Sequence, residues 1–391
     1  MTIKSKHLTK VPKLRFQEFH DEWKDVTFWN LTERAWLPVE VDSLATYQEI
    51  WIRSHWKGIF HKEPVNGKDL WNKRVFWIEE NTLVLNIVFA WEQAISITTR
   101  AELGMIWSHR FPMYRPLIKE ANLAYLLRYF LTKKGKRILE LASPGWAGRN
   151  KTLWQKLLEN SILTVPTALE QQKIASFLST VDEKIEKFKA KKTLLEEYKK
   201  WVVQKIFSRE IQFKNEDEKD FGKWEERKLG DLLNYEQPTN YLVKNKEYND
   251  SYNTPVLTAG KTFILWYTDE TDWIFQKWLP VIIFDDFTTA SQFVDFPFKT
   301  KSSAMKILHA TEWNDIKFLF ELLQQIQFKI GGHWRHWISV FAEMLTEIPT
   351  LPEQQKIASF LSEIDKKIEV ITSEIKQTEK WKKWLLQQMF V

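Results

Sequence analysis

Two stretches of the chain place an apolar residue at every seventh position. The first row is Ile174, Val181, Phe188, Leu195 and Val202, and the second is Ile357, Ile364, Ile371 and Leu385, with Thr378 between the last two. A seven-residue apolar repeat sustained over four or five heptads is typical of coiled-coil helices. At 1.5 Å per residue, helices of this length span roughly 60 Å. We predict that the two helices pair with each other in antiparallel fashion; the alternative is that each packs only on its own domain.

The two predicted helices belong to an internal repeat. The segment EQQKIASFLS occurs at residues 170–179 and again at 353–362, and a second pair of similar segments begins at Glu22 and Lys223. Thr167 and Thr350 each precede a glutamate by three residues, which predicts a capping box at both helix starts. We therefore expect a globular block at 1–165, a long helix at 166–208, a linker at 209–220, a second globular block at 221–348 and a second long helix at 349–391.

The blocks before each helix combine strand-like and helix-like patterns, so the predicted fold class is α+β. Short apolar runs predict strands at Leu83 to Ala90, Ile95 to Thr99, Pro280 to Phe284 and Met305 to Leu308. Amphipathic runs predict helices at Leu123 to Leu131 and Asp315 to Gln327. The expected architecture is two globular mixed α/β domains, each followed by a long helix of the antiparallel coiled coil.

Composition excludes several classes of protein. The 391 residues contain no Cys, which excludes a disulfide scaffold, a zinc ribbon and a cysteine nucleophile. The longest apolar run is far shorter than the ~20 residues of a membrane-spanning helix, and no signal peptide precedes it, so a cytoplasmic protein is expected. The net charge of +6 permits nucleic-acid binding without requiring it.

No catalytic, metal-binding or cofactor-binding signature is present. Gly260-Lys261-Thr262 resembles the end of a phosphate loop, but Pro255 occupies the place of the first glycine. His333 and His336 lack nearby acidic ligands, and Asp285-Asp286 is read as the end of a strand and the start of a turn rather than a catalytic pair. We expect a non-catalytic protein that needs no cofactor.

Several loops are rich in groups that suit phosphates and base edges. Each such loop is more often an ordinary solvated surface, but loops of this kind recur in both halves. The candidate DNA-binding residues are Arg53, His55, Lys57, His109, Arg110, Arg115, Arg149, Asn150 and Lys151 in the first half, and Ser291, Gln292, Lys299, Lys301, His333, Arg335 and His336 in the second.

The repeated EQQKIASFLS segment, the KKWLLQQMF ending and the LRFQEF opening resemble the specificity subunit of type I restriction–modification systems. This resemblance covers essentially the whole chain. It implies that each variable block reads one half of a bipartite site in double-stranded DNA, and that the helices set the half-site spacing and dock two modification subunits, which carry the adenine methyltransferase. Restriction subunits with an ATP-dependent nuclease would join that core. A coiled-coil scaffold without DNA binding remains the alternative.

The chain has 21 Trp and only 11 Gly, against roughly 27 Gly expected from average usage. Trp29 matches Gly230 in the repeat, and several other tryptophans stand where a turn favours glycine. One hypothesis is that UGA codons, which some bacterial lineages decode as glycine, underlie many of these residues. The alternative is that they are aromatic residues that stack on nucleic acid. The positions concerned are Trp29, Trp36, Trp51, Trp56, Trp71, Trp146, Trp154, Trp201, Trp266, Trp273, Trp278, Trp334 and Trp384.

Overall fold

The computed structural model describes residues 10–70, 73–117, 119–146, 151–245, 247–258, 262–326 and 336–391. It divides into two compact units. The first unit consists of Met1–Lys189 and Ser373–Val391, and the second of Ala190–Thr372. Each unit thus contains one end of both long helices. Among the described residues, no helix is long and apolar enough to cross a membrane.

The first unit is built from short strands and short helices ahead of the long helix. Its helices are α1 (Phe28–Leu31), α2 (Leu123–Leu131), α3 (Lys133–Leu141), α4 (Gln155–Glu159) and the start of α5 (Ala168–Phe207). Its strands are β1 (Lys24–Thr27), β2 (Thr32–Ala35), β3 (Thr46–Tyr47), β4 (Ile50–Ile52), β5 (Ile59–His61), β6 (Val65–Asn66), β7 (Val75–Trp77), β8 (Leu83–Leu85), β9 (Ile95–Ile97), β10 (Ile106–Ser108), β11 (Met113–Pro116) and β12 (Ile162–Val165).

The second unit follows the same plan with fewer strands. Its helices are α6 (Leu229–Leu232), α7 (Ile316–Gln325), α8 (His336–Ser339) and the start of α9 (Leu351–Gln388). Its strands are β13 (Glu225–Lys228), β14 (Leu233–Glu236), β15 (Thr254–Leu257), β16 (Ile264–Thr268), β17 (Val281–Asp285), β18 (Ser291–Val294), β19 (Lys299–Thr300), β20 (Met305–Ala310) and β21 (Leu345–Ile348).

The central sheet has the same topology in both units. Four antiparallel strands lie in the order β2-β11-β8-β9 in the first unit and β14-β20-β17-β18 in the second. In each unit the opening strand also pairs antiparallel with the strand just before the long helix, as β1 with β12 and β13 with β21. The sequence repeat is therefore a repeat of one α+β scaffold.

The predicted elements are found, with one clear shortening. The helix predicted from Leu123 to Leu131 has those bounds, and Asp315 caps α7 by accepting a hydrogen bond from the Phe318 amide at 2.8 Å. The strand predicted to continue to Ala90 ends at Leu85. There the Asn86 side chain accepts a hydrogen bond from the Val88 amide at 3.0 Å, so the chain turns instead of extending.

The apolar rows of the long helices are buried as the heptads predict. The start of α5 and the end of α9 share one hydrophobic core in the first unit, and the end of α5 and the start of α9 share another in the second. The helices are therefore antiparallel, as expected. Ile174, Val181, Val202, Ile357, Ile364, Ile371 and Leu385 are buried, whereas Phe188 and Leu195 are half-buried and lie outside both cores.

Equivalent ion pairs fix the alignment of the helices in each unit. Asp182 of α5 pairs with Lys382 of α9 in the first unit, and Lys199 of α5 lies 2.7 Å from Asp365 of α9 in the second. Asp182 and Asp365 occupy the same position of the repeat, as do Lys199 and Lys382. The matching pairs follow from one antiparallel register.

The repeated Glu-Gln pair at the helix starts has a different role from the predicted capping boxes. The hydroxyl half of the predicted capping box is present at the first helix, where Thr167 accepts a hydrogen bond from the Glu170 amide at 3.4 Å. The Glu170 carboxylate instead accepts two hydrogen bonds from the Arg15 guanidinium, at 2.8 and 2.7 Å. Gln171 accepts a hydrogen bond from the Asn122 amide at 2.9 Å, and Gln354 accepts one from the Asp315 amide at 2.9 Å. The capping-box prediction was therefore wrong for the Glu170 carboxylate, which pairs with Arg15, while the two glutamines join the long helices to their globular cores.

We expect an aspartate at Val181 or Ile364 to destabilise the unit that contains it. Each native side chain is 4% exposed, so the aspartate would bury an unpaired carboxylate, which is costly. Val181→Asp and Ile364→Asp should each lower the free energy of unfolding by more than about 3 kcal/mol, measured by urea denaturation. Glu363→Asp, at an exposed position of α9, is the control. Equal stability of Ile364→Asp and the control would contradict the helix pairing.

Candidate nucleic-acid interface

Three of the candidate residues lie on one hairpin loop of the first unit. The loop joins β4 to β5, and the side chains of Arg53, His55 and Lys57 are exposed on it. The His55 amide donates to the Glu92 carbonyl at 2.8 Å, so the backbone of the loop is held while its side chains stay free for a ligand. The Arg53 guanidinium lies 4.8 Å from the centre of the Phe60 ring.

A second loop of the first unit packs on the hydrophobic cluster that also contains residues of β4. His109 and Arg110 are exposed after β10, and the next residue, Phe111, is buried. The Phe111 ring packs edge-on against Trp51 of β4, with ring centres 5.2 Å apart. Ile50 and Ile52 of β4 belong to the same hydrophobic cluster as Phe111. One core therefore supports both cationic loops.

Lys151 belongs to the surroundings of the first loop. Its ammonium lies 4.7 Å from the centre of the Trp91 ring, and Trp91 precedes the Glu92 carbonyl that holds His55. Lys151 and the β4–β5 loop therefore both contact the segment of Trp91 and Glu92. Arg149 and Asn150, by contrast, lie outside the described residues.

Arg115 is committed to carboxylates. Its Nε and Nη2 atoms donate to the two oxygens of Glu79 at 2.6 and 2.7 Å, and Glu33 lies 3.4 Å from its Nη1 atom. The hydrogen bonds from the guanidinium to Glu79 raise the pKa of Arg115 above its usual value. Because two carboxylates neutralise this side chain, it is a poor phosphate ligand.

Lys299 was proposed to contact phosphate, and its position in the structure corrects that expectation. The side chain is fully buried, with its ammonium 2.9 Å from Glu270 and donating to the Asp272 carbonyl at 2.7 Å. A lysine run in the sequence reads as a surface loop, but β19 places Lys299 inward. A buried, paired ammonium is not available to DNA.

The Lys299–Glu270 pair instead holds the loop that contains Lys244. Glu270 accepts hydrogen bonds from the amides of Lys244 and Asn245, at 2.8 and 2.7 Å. Burial disfavours the Glu270 charge, but these amides and the Lys299 ammonium outweigh burial and hold the pKa of Glu270 below its ordinary value. The stabilisation by this carboxylate is therefore present above the ordinary pKa and is lost as the pH falls through the folded pKa.

The remaining candidates of the second unit have mixed surroundings. Gln292 is exposed on β18, while the Ser291 hydroxyl accepts a hydrogen bond from Gln324 at 2.6 Å. Lys301 donates to the Tyr248 hydroxyl at 2.8 Å. His336 is buried, and its amide donates to the Asp286 carbonyl at 3.0 Å, so burial corrects its assignment to the surface. His333 and Arg335 lie outside the described residues.

Sequence reasoning missed two exposed cations of the second unit. Lys244 and Lys277 are exposed on loops around the core that contains Phe275 and Phe298. Lys244 stands in the short run Lys244-Asn245-Lys246, which the sequence analysis did not single out, and Lys277 follows Gln276. Only the support from Glu270 marks the Lys244 loop as ordered.

Within the described residues, no group of three or more His, Cys, Asp or Glu side chains could hold a metal ion. Asp285 and Asp286 serve the turn after β17, as the sequence predicted. Asp285 accepts a hydrogen bond from the Phe287 amide at 2.9 Å, and Asp286 lies 3.3 Å from the buried Lys306.

Known proteins resemble this chain in sequence and in fold. A type I restriction enzyme specificity subunit (EcoR124I/EcoR124II) of Escherichia coli is 47% identical over 150 residues, which are 37% of each chain. The MjaIX specificity subunit of Methanocaldococcus jannaschii is 29% identical over 161 residues, again 37% of each. The chain thus aligns with little more than a third of the length of these curated relatives.

Two solved structures share the fold. The type I restriction–modification S subunit from M. genitalium covers 97% of this chain, and the chain covers 99% of it, with a TM-score of 0.63 and 15% identity. A chain from a structure concerned with complex assembly and conformational transition of the type I R-M system gives a TM-score of 0.52 at 12% identity and covers 94% of this chain, which covers 97% of it.

We expect Lys299→Met to destabilise the second unit, because it leaves the Glu270 carboxylate without its buried cation. The free energy of unfolding should fall by about 3 kcal/mol, measured by urea denaturation. Adding Glu270→Gln should recover part of the loss. Lys277→Met, at an exposed lysine, should change stability by less than about 0.5 kcal/mol. A Lys299→Met protein as stable as this control would show that the pair does not support the loop.

The sequence profile of the type I restriction modification DNA specificity domain matches residues 85–197 and 222–380, most of the chain. Its two matches fall on the two copies of the α+β scaffold with their long helices. The chain therefore belongs to the type I restriction–modification DNA specificity family.

Proposed function

We propose that the chain is the DNA-recognition subunit of a type I restriction–modification complex, in which each globular block reads one half of a bipartite site. The observation that carries this proposal is the repetition of one scaffold with different exposed loop residues. The first unit presents Arg53, Lys57 and Arg110, and the second presents Lys244 and Gln292. Similar scaffolds with different loops suit two different half-sites on one duplex.

The blocks are 1–165 and 221–348, and residues 166–208 and 349–391 are the spacer helices. Residues 209–220 are the linker between the halves, although Ile211 and Phe213 pack on the core of the second unit. Half-sites read from one side of a duplex lie about one helical turn, roughly 34–36 Å, or a multiple apart. The helices have the length to set such a spacing.

Exposed Arg and Lys side chains would hold phosphates, while Gln, His and Asn on the same loops would read base edges. Such contacts recognise DNA without changing it. The chemistry would come from partners: an adenine methyltransferase that takes a flipped base, and restriction subunits with an ATP-dependent nuclease. A complex of this kind acts on DNA in the cytoplasm and needs no cofactor bound by this chain.

The repeated helix segment supports two equivalent docking surfaces for modification subunits. Glu170, Gln171 and Ile174, with their counterparts Glu353, Gln354 and Ile357, are buried and explain part of the sequence identity by packing. Gln172 and Ser176, one turn apart on α5, are exposed and are nevertheless identical to Gln355 and Ser359 on α9. Packing does not require identity at exposed positions, so we assign these residues to two copies of one partner.

We expect Arg53→Gln and Arg110→Gln to weaken DNA binding for all sequences, because phosphate contacts carry no sequence information. Each lost contact should reduce the slope of log affinity against log salt concentration by about 0.9, measured by fluorescence anisotropy on the complex with its modification subunits. Lys187→Gln on the exposed face of α5 is the matched control. An unchanged slope in both loop variants would remove these residues from the interface.

Methylation mapping tests the function as a whole. Expression of the chain with its modification subunit should methylate one bipartite adenine motif, and exchange of the block at 221–348 for that of a relative should change only one half of the motif. Native mass spectrometry of the same complex should find two modification subunits for each chain. Assembly of the complex with no motif-specific methylation would favour a scaffold that does not bind DNA.

A further inference from the structure

The tryptophans of this chain differ widely in burial. Trp23, Trp107 and Trp337 are each 1% exposed and lie in the hydrophobic cores. At least twelve others have 40% or more of their surface exposed, and Trp146 is exposed throughout. An indole ring contributes to stability mainly by burying its large apolar surface, and these exposed rings contribute little.

Four of the exposed tryptophans have a backbone conformation that favours glycine. The φ angles are +45° at Trp56, +53° at Trp273, +60° at Trp278 and +69° at Trp313. Among the described residues, ten non-glycine residues have a positive φ, and four of these ten are tryptophans. A bulky side chain in this region is strained, whereas glycine adopts it freely.

The local sequence at these positions is that of glycine turns. Trp273 follows Asp272, and Asp-Gly is a common turn pair. Trp56 stands two residues before Gly58, which itself has a φ of +80°, within the β4–β5 hairpin loop. Replacement of these indoles by hydrogen would remove backbone strain. At Trp273, Trp278 and Trp313, which are 61%, 72% and 78% exposed, it would also take away little packing.

The internal repeat gives independent support. Trp29 and Gly230 are the second residues of the equivalent short helices α1 and α6. A Cβ atom at Gly230 would lie 3.0 Å from the Ala342 carbonyl oxygen, so this position leaves little room for a side chain. Trp29 is half exposed at the same place.

We propose that the natural chain carries glycine at the exposed tryptophan positions singled out from the sequence, and also at Trp313, because their codons are UGA and are decoded as glycine. Trp51 is set apart, because its ring is half-buried and packs on Phe111. The structure adds Trp313, which the sequence comparison did not identify. The buried Trp23, Trp107 and Trp337 are tryptophan, encoded by UGG. Trp71 and Trp334 lie outside the described residues and are included on the sequence alone.

The assignment changes which groups can meet DNA, a consequence that rests on the proposed function. Exposed indoles near the cationic loops would offer stacking surfaces for bases. With glycine at Trp56 the hairpin loop instead has two glycines, which let the backbone approach a phosphate closely. Recognition would then depend on Arg53, His55 and Lys57 and on amides, without aromatic stacking.

The codons of the gene and the mass of the natural protein decide the proposal together. We expect UGA at the proposed positions and UGG at Trp23, Trp107 and Trp337. Peptides of the protein isolated from its source organism should show the mass of glycine wherever the gene has UGA. UGG at the four left-handed positions, or peptide masses that show tryptophan there, would overturn it. These outcomes do not depend on whether the chain binds DNA.

Stability gives a second readout. The combined variant Trp273→Gly, Trp278→Gly and Trp313→Gly should raise the thermal midpoint of the second unit by about 2–4 °C for each strained position relieved. Trp337→Gly is the matched control, and it should abolish the cooperative transition of that unit because it empties a core site. A lower midpoint in the combined variant than in the parent would contradict glycine at these turns.

Discussion

The antiparallel pairing of α5 with α9 is the constraint on which both globular units depend. Each core is closed by the start of one helix and the end of the other. Ile174 and Leu178 of α5 share a core with Leu385 and Met389 of α9, and Val202 of α5 shares the other with Ile357 and Leu361. Because each unit needs residues from both ends of the sequence repeat, neither half of the chain contains a complete core. The ion pairs of Asp182 with Lys382 and of Lys199 with Asp365 fix the register that makes this possible.

In this arrangement the residues that support the fold are different from the loop residues proposed to recognise DNA. The residues that are identical in the two repeats either join helix to core, as Gln171 and Gln354 do, or are exposed on the helices, as Gln172 and Gln355 are. The loops around the sheets differ between the units and present the cations. A scaffold of this kind can change its loops without changing its helices, which is the property that a subunit with two independent half-site readers requires.

The candidate interface was only partly predictable. Arg53, Lys57 and Arg110 are exposed as their loops indicated, because connecting loops run over the protein surface. Arg115 and Lys299 have the same charge but pair with Glu79 and Glu270, which are distant in sequence. No local pattern reveals such partners, since an ion pair depends on which strands lie side by side. The support of the Lys244 loop by Glu270 is likewise visible only in the structure.

The sequence by itself determined the two long helices, their apolar rows, the internal repeat and the excess of tryptophan over glycine. These are local or periodic properties, and a helix buries whichever stripe its period places on one face. Tertiary structure alone decided that the end of each helix completes the core with the start of the other and that Lys299 points inward. Each of these depends on contacts between residues far apart in the chain, and those contacts exist only once the sheets and helices have packed.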